Sequence, residues 1–182
     1  MPKILISSPA ASFFGHEKYY KLSDNTYIKA IFQDTMGANS RFHSIFLQKY
    51  SIANSVILIY DIKNKESFEQ CCYYKENIKE LCNEDIEVIL LGNEQNEQKY
   101  GIHEKEREVS FEEGNNFAQL NNYFFMEIST EKNEGIDEAA KMAIKMALKN
   151  KRKRDFIDKE KNKENEKIMK YKKFKKNDCI II

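Results

Sequence analysis

The chain has 182 residues, which fits one globular domain with a tail, because domains commonly hold about 100–200 residues. Basic and acidic residues nearly balance overall, but residues 149–182 hold 14 Lys/Arg against 6 Asp/Glu, and residues 1–148 hold 16 against 23. An acidic body with a basic arm predicts that the arm meets an anionic surface, while the lack of a long apolar run and of metal-site cysteine spacing argues against a membrane-spanning or zinc-binding protein.

Short apolar runs predict strands at 26–32, 55–60, 86–91 and 123–128. Apolar stripes at helical spacing predict helices at 65–82 and 135–149, and a further helix opens at Ser110, where Ser110-Phe111-Glu112-Glu113 fits a capping box. Strands that alternate with helices predict an α/β fold with a mostly parallel sheet. Ligands are expected beyond the carboxyl ends of its strands.

From Lys151 onward the sequence becomes rich in Lys, Glu and Asn, with few large apolar residues. Such a segment buries too little surface to offset the entropy of ordering, so a flexible tail with at most transient helix is expected. The predicted organisation is therefore a domain over residues 1–150 and a basic tail over residues 151–182.

Four motifs stand in a fixed order along the chain: Asp34-Thr35-Met36-Gly37, Asn93-Glu94-Gln95-Asn96, Glu127-Ile128-Ser129-Thr130 and Cys179-Ile180-Ile181-Ile182. Together with the stretches at 41–44, 56–62, 66–68 and 107–114, they resemble the Rab branch of the Ras superfamily of small GTPases. The resemblance implies a three-layer, P-loop-NTPase-like α/β fold and a role in vesicle-mediated membrane traffic. It also implies GTP or GDP and Mg²⁺ as cofactors, with effector or escort proteins as partners.

The phosphate-binding loop of that family has no counterpart here. A P-loop needs two glycines five residues apart, followed by Lys and Ser or Thr, so that backbone amides wrap the phosphates. The 6 glycines, at positions 15, 37, 92, 101, 114 and 135, include no such pair. The family places a central strand, the P-loop, a helix and switch I ahead of its second strand, so the first strand, the P-loop and the first helix are expected to be missing or reduced.

Two short stretches near the amino end bear on this gap. Residues 7–14 faintly resemble switch I, with Ser8 near the Mg²⁺-binding threonine of the family. As a hypothesis, Lys3-Ile4-Leu5-Ile6-Ser7 refills the central strand, with the P-loop and first helix deleted behind it. A link of about four residues at about 3.3 Å each spans two strand spacings, roughly 10 Å.

By resemblance, Asp34 lies near Mg²⁺ and the Gly37 amide faces the γ-phosphate, while Asn93, Asn96, Ser129 and Thr130 belong to the base-binding motifs. The alternative for Asp34 is a strand-end aspartate that caps a turn. Ala38 replaces the glutamine that orients the attacking water, so no catalytic residue is assigned and efficient hydrolysis is not expected.

The base-reading motif also departs from the pattern of the family. Glu94 replaces its lysine, and Asn96 replaces the aspartate that accepts two guanine N–H bonds. An amide there leaves a donor facing a donor, at about 1–3 kcal/mol for each unpaired group. Glu94 and Glu131 add negative charge, so weak guanine selectivity is expected.

The carboxyl end fits a C-a-a-X box with Cys179 as the prenylated residue, and isoleucine at the last position leaves the lipid type open. One lipid anchors only marginally, and five lysines upstream can supply a second membrane signal: Lys170, Lys172, Lys173, Lys175 and Lys176. Nuclear targeting and RNA binding are rival interpretations that the box disfavours. The expected location is the cytoplasmic face of a membrane, with an anionic surface and no nucleic acid as partner.

The preferred hypothesis is a degenerate Rab-like protein that acts as a membrane-tethered binding module. Its partner surface would use apolar residues of the switch II-like region: Met36, Phe42, Ile45, Phe46 and Tyr50. The alternative for these side chains is packing under the sheet, which is expected for about half of them. Two rival hypotheses stay open, a functional GTP switch whose P-loop is absent because the chain is incomplete, and a non-functional remnant that folds poorly.

Overall fold

The computed structural model describes residues 3–7, 15–23, 26–35, 49–82, 84–94 and 106–177. The chain divides into two compact units, Met1–Asn150 and Lys151–Ile182. From Ser55 onward strands and helices alternate, as the sequence pattern predicts.

The described strands form one six-stranded sheet in the order β2-β3-β1-β4-β5-β6. Only the β2–β3 pair is antiparallel, and every other neighbouring pair is parallel. The bounds are Lys3–Ser7 for β1, Gly15–Ser23 for β2, Thr26–Thr35 for β3, Ser55–Asp61 for β4, Glu87–Glu94 for β5 and Phe124–Ser129 for β6.

Strand β1 lies in the centre of this sheet, with a parallel neighbour on each side. Ile4 is aligned with Phe32 of β3 and with Ser55 of β4, and its side chain is 1% exposed. Burying an isoleucine side chain stabilises the fold by about 1.5–3 kcal/mol. The hypothesis that residues 3–7 refill the central strand is confirmed.

Residues 49–52 are helical, and three longer helices follow: α1 over Lys65–Leu81, α2 over Phe111–Leu120 and α3 over Ile136–Asn177. The Asn64 side chain accepts a hydrogen bond from the Ser67 amide at 3.1 Å, and Ser110 accepts one from the Glu113 amide, also at 3.1 Å. Such bonds satisfy amides that the first helical turn leaves unpaired, and the second is the capping interaction predicted at Ser110.

The sheet separates two apolar cores, which gives the three layers expected of this fold class. Alternate residues of β4 face opposite sides, because side chains alternate along a strand. Val56, Leu58 and Tyr60 pack with α1 and α2, whereas Ile57 packs with the first turns of α3. The predicted three-layer α/β fold is confirmed.

The tail differs from the flexible segment that its composition predicts, because α3 continues as helix to Asn177. Lys, Arg and Glu are strong helix formers, and elongation of an existing helix needs no new nucleation. Lys151 contacts Asp155 at 2.7 Å and Lys163 contacts Glu160 at 2.9 Å, and pairs at this helical spacing favour the helix weakly because water screens them. No helix in the described part of the chain has both the length and the apolar character needed to cross a bilayer.

Candidate functional site

The predicted site residues that the structure describes lie at or near the carboxyl ends of their own strands. Parallel strands present their carboxyl ends at the same edge. Asp34 is next to last in β3 and aligns with Ile6 of β1, Asn93 is next to last in β5, and Ser129 ends β6. Gly37, Asn96, Ser8 and Ala38 lie outside the described residues.

Asn93 connects two loops at this edge. It is 3% exposed, and its Oδ1 accepts a hydrogen bond from the Thr130 backbone amide at 3.1 Å. Its backbone carbonyl accepts a further bond from the Ile62 amide at 3.1 Å. The asparagine therefore holds the loop after β6 against the end of β5 through its side-chain hydrogen bond to Thr130.

Ser129 closes a tight loop that precedes α3. Its backbone exchanges two hydrogen bonds of 3.0 Å with Glu134, and its Oγ accepts one from the Lys132 amide at 3.2 Å. Within this loop Gly135 has a φ of 75°, a left-handed conformation that glycine adopts without strain. Thr130 is exposed at the start of the loop. The serine hydroxyl thus stabilises the loop by accepting a hydrogen bond from its backbone.

An ion pair joins the two base-binding motifs. Lys132 Nζ lies 3.0 Å from a carboxylate oxygen of Glu94, and both side chains are about half exposed. The hydrogen bond and charge of Lys132 lower the pKa of the Glu94 carboxyl and raise the pKa of the lysine. The negative charge of Glu94 is therefore balanced locally by Lys132. Sequence reasoning missed Lys132, since nothing local links residues 38 positions apart.

A second ion pair lies between the loop before α2 and strand β6. Arg107 donates two hydrogen bonds to the Glu127 carboxylate, at 2.7 and 2.9 Å, in the bidentate geometry that makes such pairs strong. These bonds raise the pKa of the arginine. Lys65 of α1 forms a single-contact ion pair with Glu113 of α2. The resemblance includes Arg107 and Glu127, but sequence reasoning gave them no role.

Tyr60 of β4 is buried between two glycines, Gly92 of β5 and Gly114 of α2. Its ring is 1% exposed, and burial and then the negative charge of Glu127 raise the pKa of its hydroxyl. A Cβ on Gly92 would lie 2.9 Å from that hydroxyl, and one on Gly114 would overlap it. Glycine at both positions lets β5 and α2 approach this tyrosine.

The predicted partner surface and membrane anchor are described only in part. Tyr50 is 1% exposed and belongs to the core under α1, so its assignment to the partner surface is wrong and the alternative, packing under the sheet, holds. Met36, Phe42, Ile45 and Phe46 lie outside the described residues, as does Cys179. The backbone from 170 to 176 is helical.

The fit of this edge to a guanine nucleotide and Mg²⁺ is partial. The strand register places Asp34 level with Ile57 and Ile89, four residues before Asn93. Asn93 Oδ1 and Ser129 Oγ are engaged by backbone amides. Residues 8–14 join β1 to β2, and these seven residues are fewer than the eight of a P-loop motif. No group of three or more His, Cys, Asp or Glu side chains among the described residues could hold a metal ion.

Comparison with known proteins indicates the same family as the sequence motifs do. The sequence model of the Ras family matches residues 12–149. The chain is 35% identical over 111 residues to Ras-related protein Rab-4 of Dictyostelium discoideum, which covers 61% of this chain and 51% of that protein. It is 38% identical over 112 residues to Rab-10 of Diplobatis ommata, with 62% and 52% covered, and 32% identical over 113 residues to human Rab-4A, with 62% and 49% covered. The matches thus span about half the length of these curated relatives.

Proposed function

The chain belongs to the Rab branch of the Ras superfamily, and from this premise we propose that it is a degenerate member of that branch. In this proposal it serves vesicle-mediated membrane traffic as a membrane-tethered, partner-binding module, and guanine-nucleotide binding and hydrolysis are weak or lost.

The position of β1 is the observation that carries the proposal. In a small GTPase the phosphate loop follows the central strand, and here the central place is filled by Lys3–Ser7, hydrogen-bonded on both sides. Ser7 is aligned with Thr35 and Gly15 with Gln33, so the seven residues between Ser7 and Gly15 start and finish near the same edge of the sheet. This length suffices to cross β3, but it does not accommodate a P-loop and a helix.

Loss of the backbone donors of the P-loop weakens the binding of the nucleotide phosphates. A hydrogen bond to a charged group contributes about 1.5–3 kcal/mol, so losing three donors to the phosphates removes about 5 kcal/mol or more. That corresponds to nearly four orders of magnitude in the dissociation constant. Glu94, which replaces the lysine of the base motif, is paired with Lys132, which supports weak recognition of the base as well.

The alternative is a functional switch whose P-loop lies upstream of Met1. This alternative is favoured by the polar residues at the strand ends, Asp34, Asn93 and Ser129. It requires an upstream strand to displace β1 from between β3 and β4, at the cost of the paired backbone and the buried side chain of Ile4.

Nucleotide binding separates the two hypotheses. The purified full chain is titrated with fluorescent GTP and GDP, with and without Mg²⁺, and human Rab-4A serves as the positive control. Nucleotide carried through purification is released by denaturation and quantified by chromatography. We expect no saturation in the micromolar range and no stoichiometric nucleotide. Micromolar or tighter binding that Asp34→Ala weakens would establish the alternative.

The proposal includes a prenyl group on Cys179 and an electrostatic contribution from the lysines between 170 and 176. Each lysine near an anionic leaflet adds about 1 kcal/mol at most, which can supplement a single marginal lipid anchor. The protein would then lie on the cytoplasmic face of a membrane, where effector or escort proteins of the Rab type bind it. The apolar residues Met36, Phe42, Ile45 and Phe46 remain the proposed contact surface.

Membrane attachment is tested with purified prenyltransferases, labelled isoprenoids and vesicle flotation. We expect label on the wild-type chain and none on Cys179→Ser. We also expect flotation with phosphatidylserine vesicles that falls as salt rises, and less flotation when the five lysines become glutamine. Labelling of Cys179→Ser, or equal flotation with purely phosphatidylcholine vesicles, would contradict this part of the proposal. The intact mass of the cellular protein checks that Ile182 ends the unprocessed chain.

A further inference from the structure

Strand β2 lies at one end of the six-stranded sheet, and no strand in the described part of the chain lies beyond it. It spans 9 residues, Gly15–Ser23, whereas strands in globular proteins commonly hold about 5–6. The outer side of such a strand presents backbone N–H and C=O groups with which a further strand can pair. Natural proteins cover an edge of this kind or restrict what can pair with it. The outer edge of β2 is therefore a candidate interaction surface.

The middle of β2 carries a symmetric arrangement of charge. Glu17 lies two residues before Tyr19, and Lys21 lies two residues after it. These three residues share one face of the strand, because side chains alternate along it. Tyr19 is 66% exposed, and the acid and the base are exposed as well. An acid and a base thus flank an exposed tyrosine at equal distances.

This arrangement is complementary to itself in an antiparallel pair. When two copies of β2 run antiparallel with Tyr19 opposite Tyr19, Glu17 of each copy lies opposite Lys21 of the other. Residues directly opposite in such a pair have Cβ atoms about 4.5–5.5 Å apart, so opposite charges stabilise the pair and like charges destabilise it. The two-fold axis then relates two acid–base pairs on either side of the tyrosines.

Other symmetric registers of the same strand lack this match. A register centred on Glu17, Lys18 or Lys21 sets that charged residue opposite its own copy. A register centred on Tyr20 moves Lys21 opposite Tyr19 and away from the acid. The other end of the sheet has no equivalent, since Glu127 is the only charged residue of β6 and finds no base in a second β6. Charge therefore selects both the strand and its register.

Contacts within the chain leave this pairing possible. Lys29 of β3 lies 2.6 Å from one carboxylate oxygen of Glu17, whose side chain is 52% exposed. A carboxylate has two oxygens and accepts several hydrogen bonds, so Glu17 can keep Lys29 and also accept Lys21 of a second copy. Among the described residues, no acid pairs with Lys21 of the same chain. The base of each acid–base pair is thus available to the second copy.

We propose that β2 pairs with β2 of a second copy of this chain, antiparallel and centred on Tyr19, to form a two-fold symmetric dimer. A two-fold dimer uses the same surface on both subunits, which is the property that the charge pattern has. The strand register shifts between Lys21 and Ser23, so the regular pairing covers residues 17–21. So short a contact falls below the standard interface size, and a dissociation constant in the micromolar range is expected.

The dimer goes beyond the proposed function. Its interface uses neither the base-binding motifs nor the prenylated tail, so it requires no nucleotide and no membrane. Sedimentation of the full chain without nucleotide or lipid therefore tests it alone, and loss of either proposal leaves the other standing.

Complementary charge reversals test the register. Lys21→Glu sets Glu17 opposite an acid twice in each dimer, and Glu17→Lys sets Lys21 opposite a base twice. Each variant alone should associate about tenfold more weakly than the wild type, or less. An equal mixture of the two variants should regain association, because every opposed pair in the mixed dimer joins an acid and a base. Sedimentation equilibrium measures the single proteins, and a fluorescent label on one variant reports the mixed dimer.

Two controls accompany this experiment. Lys79→Glu makes the same change of net charge at an exposed position of α1 and should leave association unchanged. Circular dichroism verifies that each variant is folded, since Glu17→Lys also loses the contact with Lys29. Lys21→Glu removes no ion pair of the described residues, so its comparison with Lys79→Glu remains a valid test if Glu17→Lys fails to fold.

Four outcomes would overturn the assignment. The first is a wild-type chain that stays monomeric up to millimolar concentration. The second is association of Lys21→Glu equal to that of the wild type, and the third is equal weakening by Lys21→Glu and Lys79→Glu. The fourth is a mixture of folded Lys21→Glu and Glu17→Lys proteins that associates no better than either variant alone.

Discussion

Gly114 lies inside helix α2, with the buried ring of Tyr60 against its backbone. A Cβ at this position would overlap the Tyr60 hydroxyl and would stand 2.7 and 2.9 Å from Cζ and Cε2 of Phe125. Real Cβ atoms do not approach other atoms this closely, so Gly114→Ala forces α2 away from the sheet or the tyrosine out of its place.

The size of the effect follows from two opposing contributions. Alanine in a helix interior is favoured over glycine by about 1 kcal/mol. Overpacking a dense core costs about 1–3 kcal/mol, and three atoms too close together place this site at the upper end. We therefore expect Gly114→Ala to lower the free energy of unfolding by about 1–2 kcal/mol. In a protein of this size each kcal/mol shifts Tm by about 2–4 °C.

Tyr60→Phe provides the second arm of a double-mutant cycle. The Tyr60 hydroxyl is buried without a hydrogen-bond partner among the described residues. Removing a buried, unsatisfied polar group relieves a penalty of about 1–3 kcal/mol, so Tyr60→Phe should be neutral or stabilising. Gly114→Ala should cost about 1 kcal/mol less in the phenylalanine background, because the closest overlap is gone.

Urea and thermal unfolding followed by circular dichroism measure all four proteins. Asn116→Ala, on the exposed side of the same helix, is the matched control and should stabilise the protein slightly. The reasoning is refuted if Gly114→Ala is as favourable as Asn116→Ala, or if its cost is the same with tyrosine and with phenylalanine at position 60.

Two further predictions concern the candidate site. Asn93→Ala should lower the free energy of unfolding by about 1–3 kcal/mol in nucleotide-free protein, because the Thr130 amide loses its acceptor; an unchanged urea midpoint would show that the asparagine has no structural role. Lys132→Ala should raise the pKa of the Glu94 carboxyl toward its ordinary value, measured by NMR titration. Since pairing lowers that pKa in the folded state, the stability it contributes is present above the ordinary carboxyl pKa and is lost as pH falls through the lowered one. An unaltered titration of Glu94 in the variant would count against the pair.

Local sequence patterns determined much of the secondary structure and the places of the site residues. The buried strands β4 and β5 are nearly continuous apolar runs, and the cap at Ser110 is a four-residue motif. Each can therefore be predicted from its own residues alone. The order of the motifs along the chain was enough to place Asp34, Asn93 and Ser129 at or near the carboxyl ends of their strands, but the register that sets Asp34 four residues before the level of Asn93 is a property of the assembled sheet.

Only the tertiary structure decided how distant segments meet. The central place of residues 3–7 depends on pairing with strands 28 and 51 positions away. The Glu94–Lys132 pair and the burial of Tyr50 also depend on distant partners. Tail composition predicted flexibility, whereas the helix continues to Asn177, since helix formers can elongate an existing helix without a core to pack on.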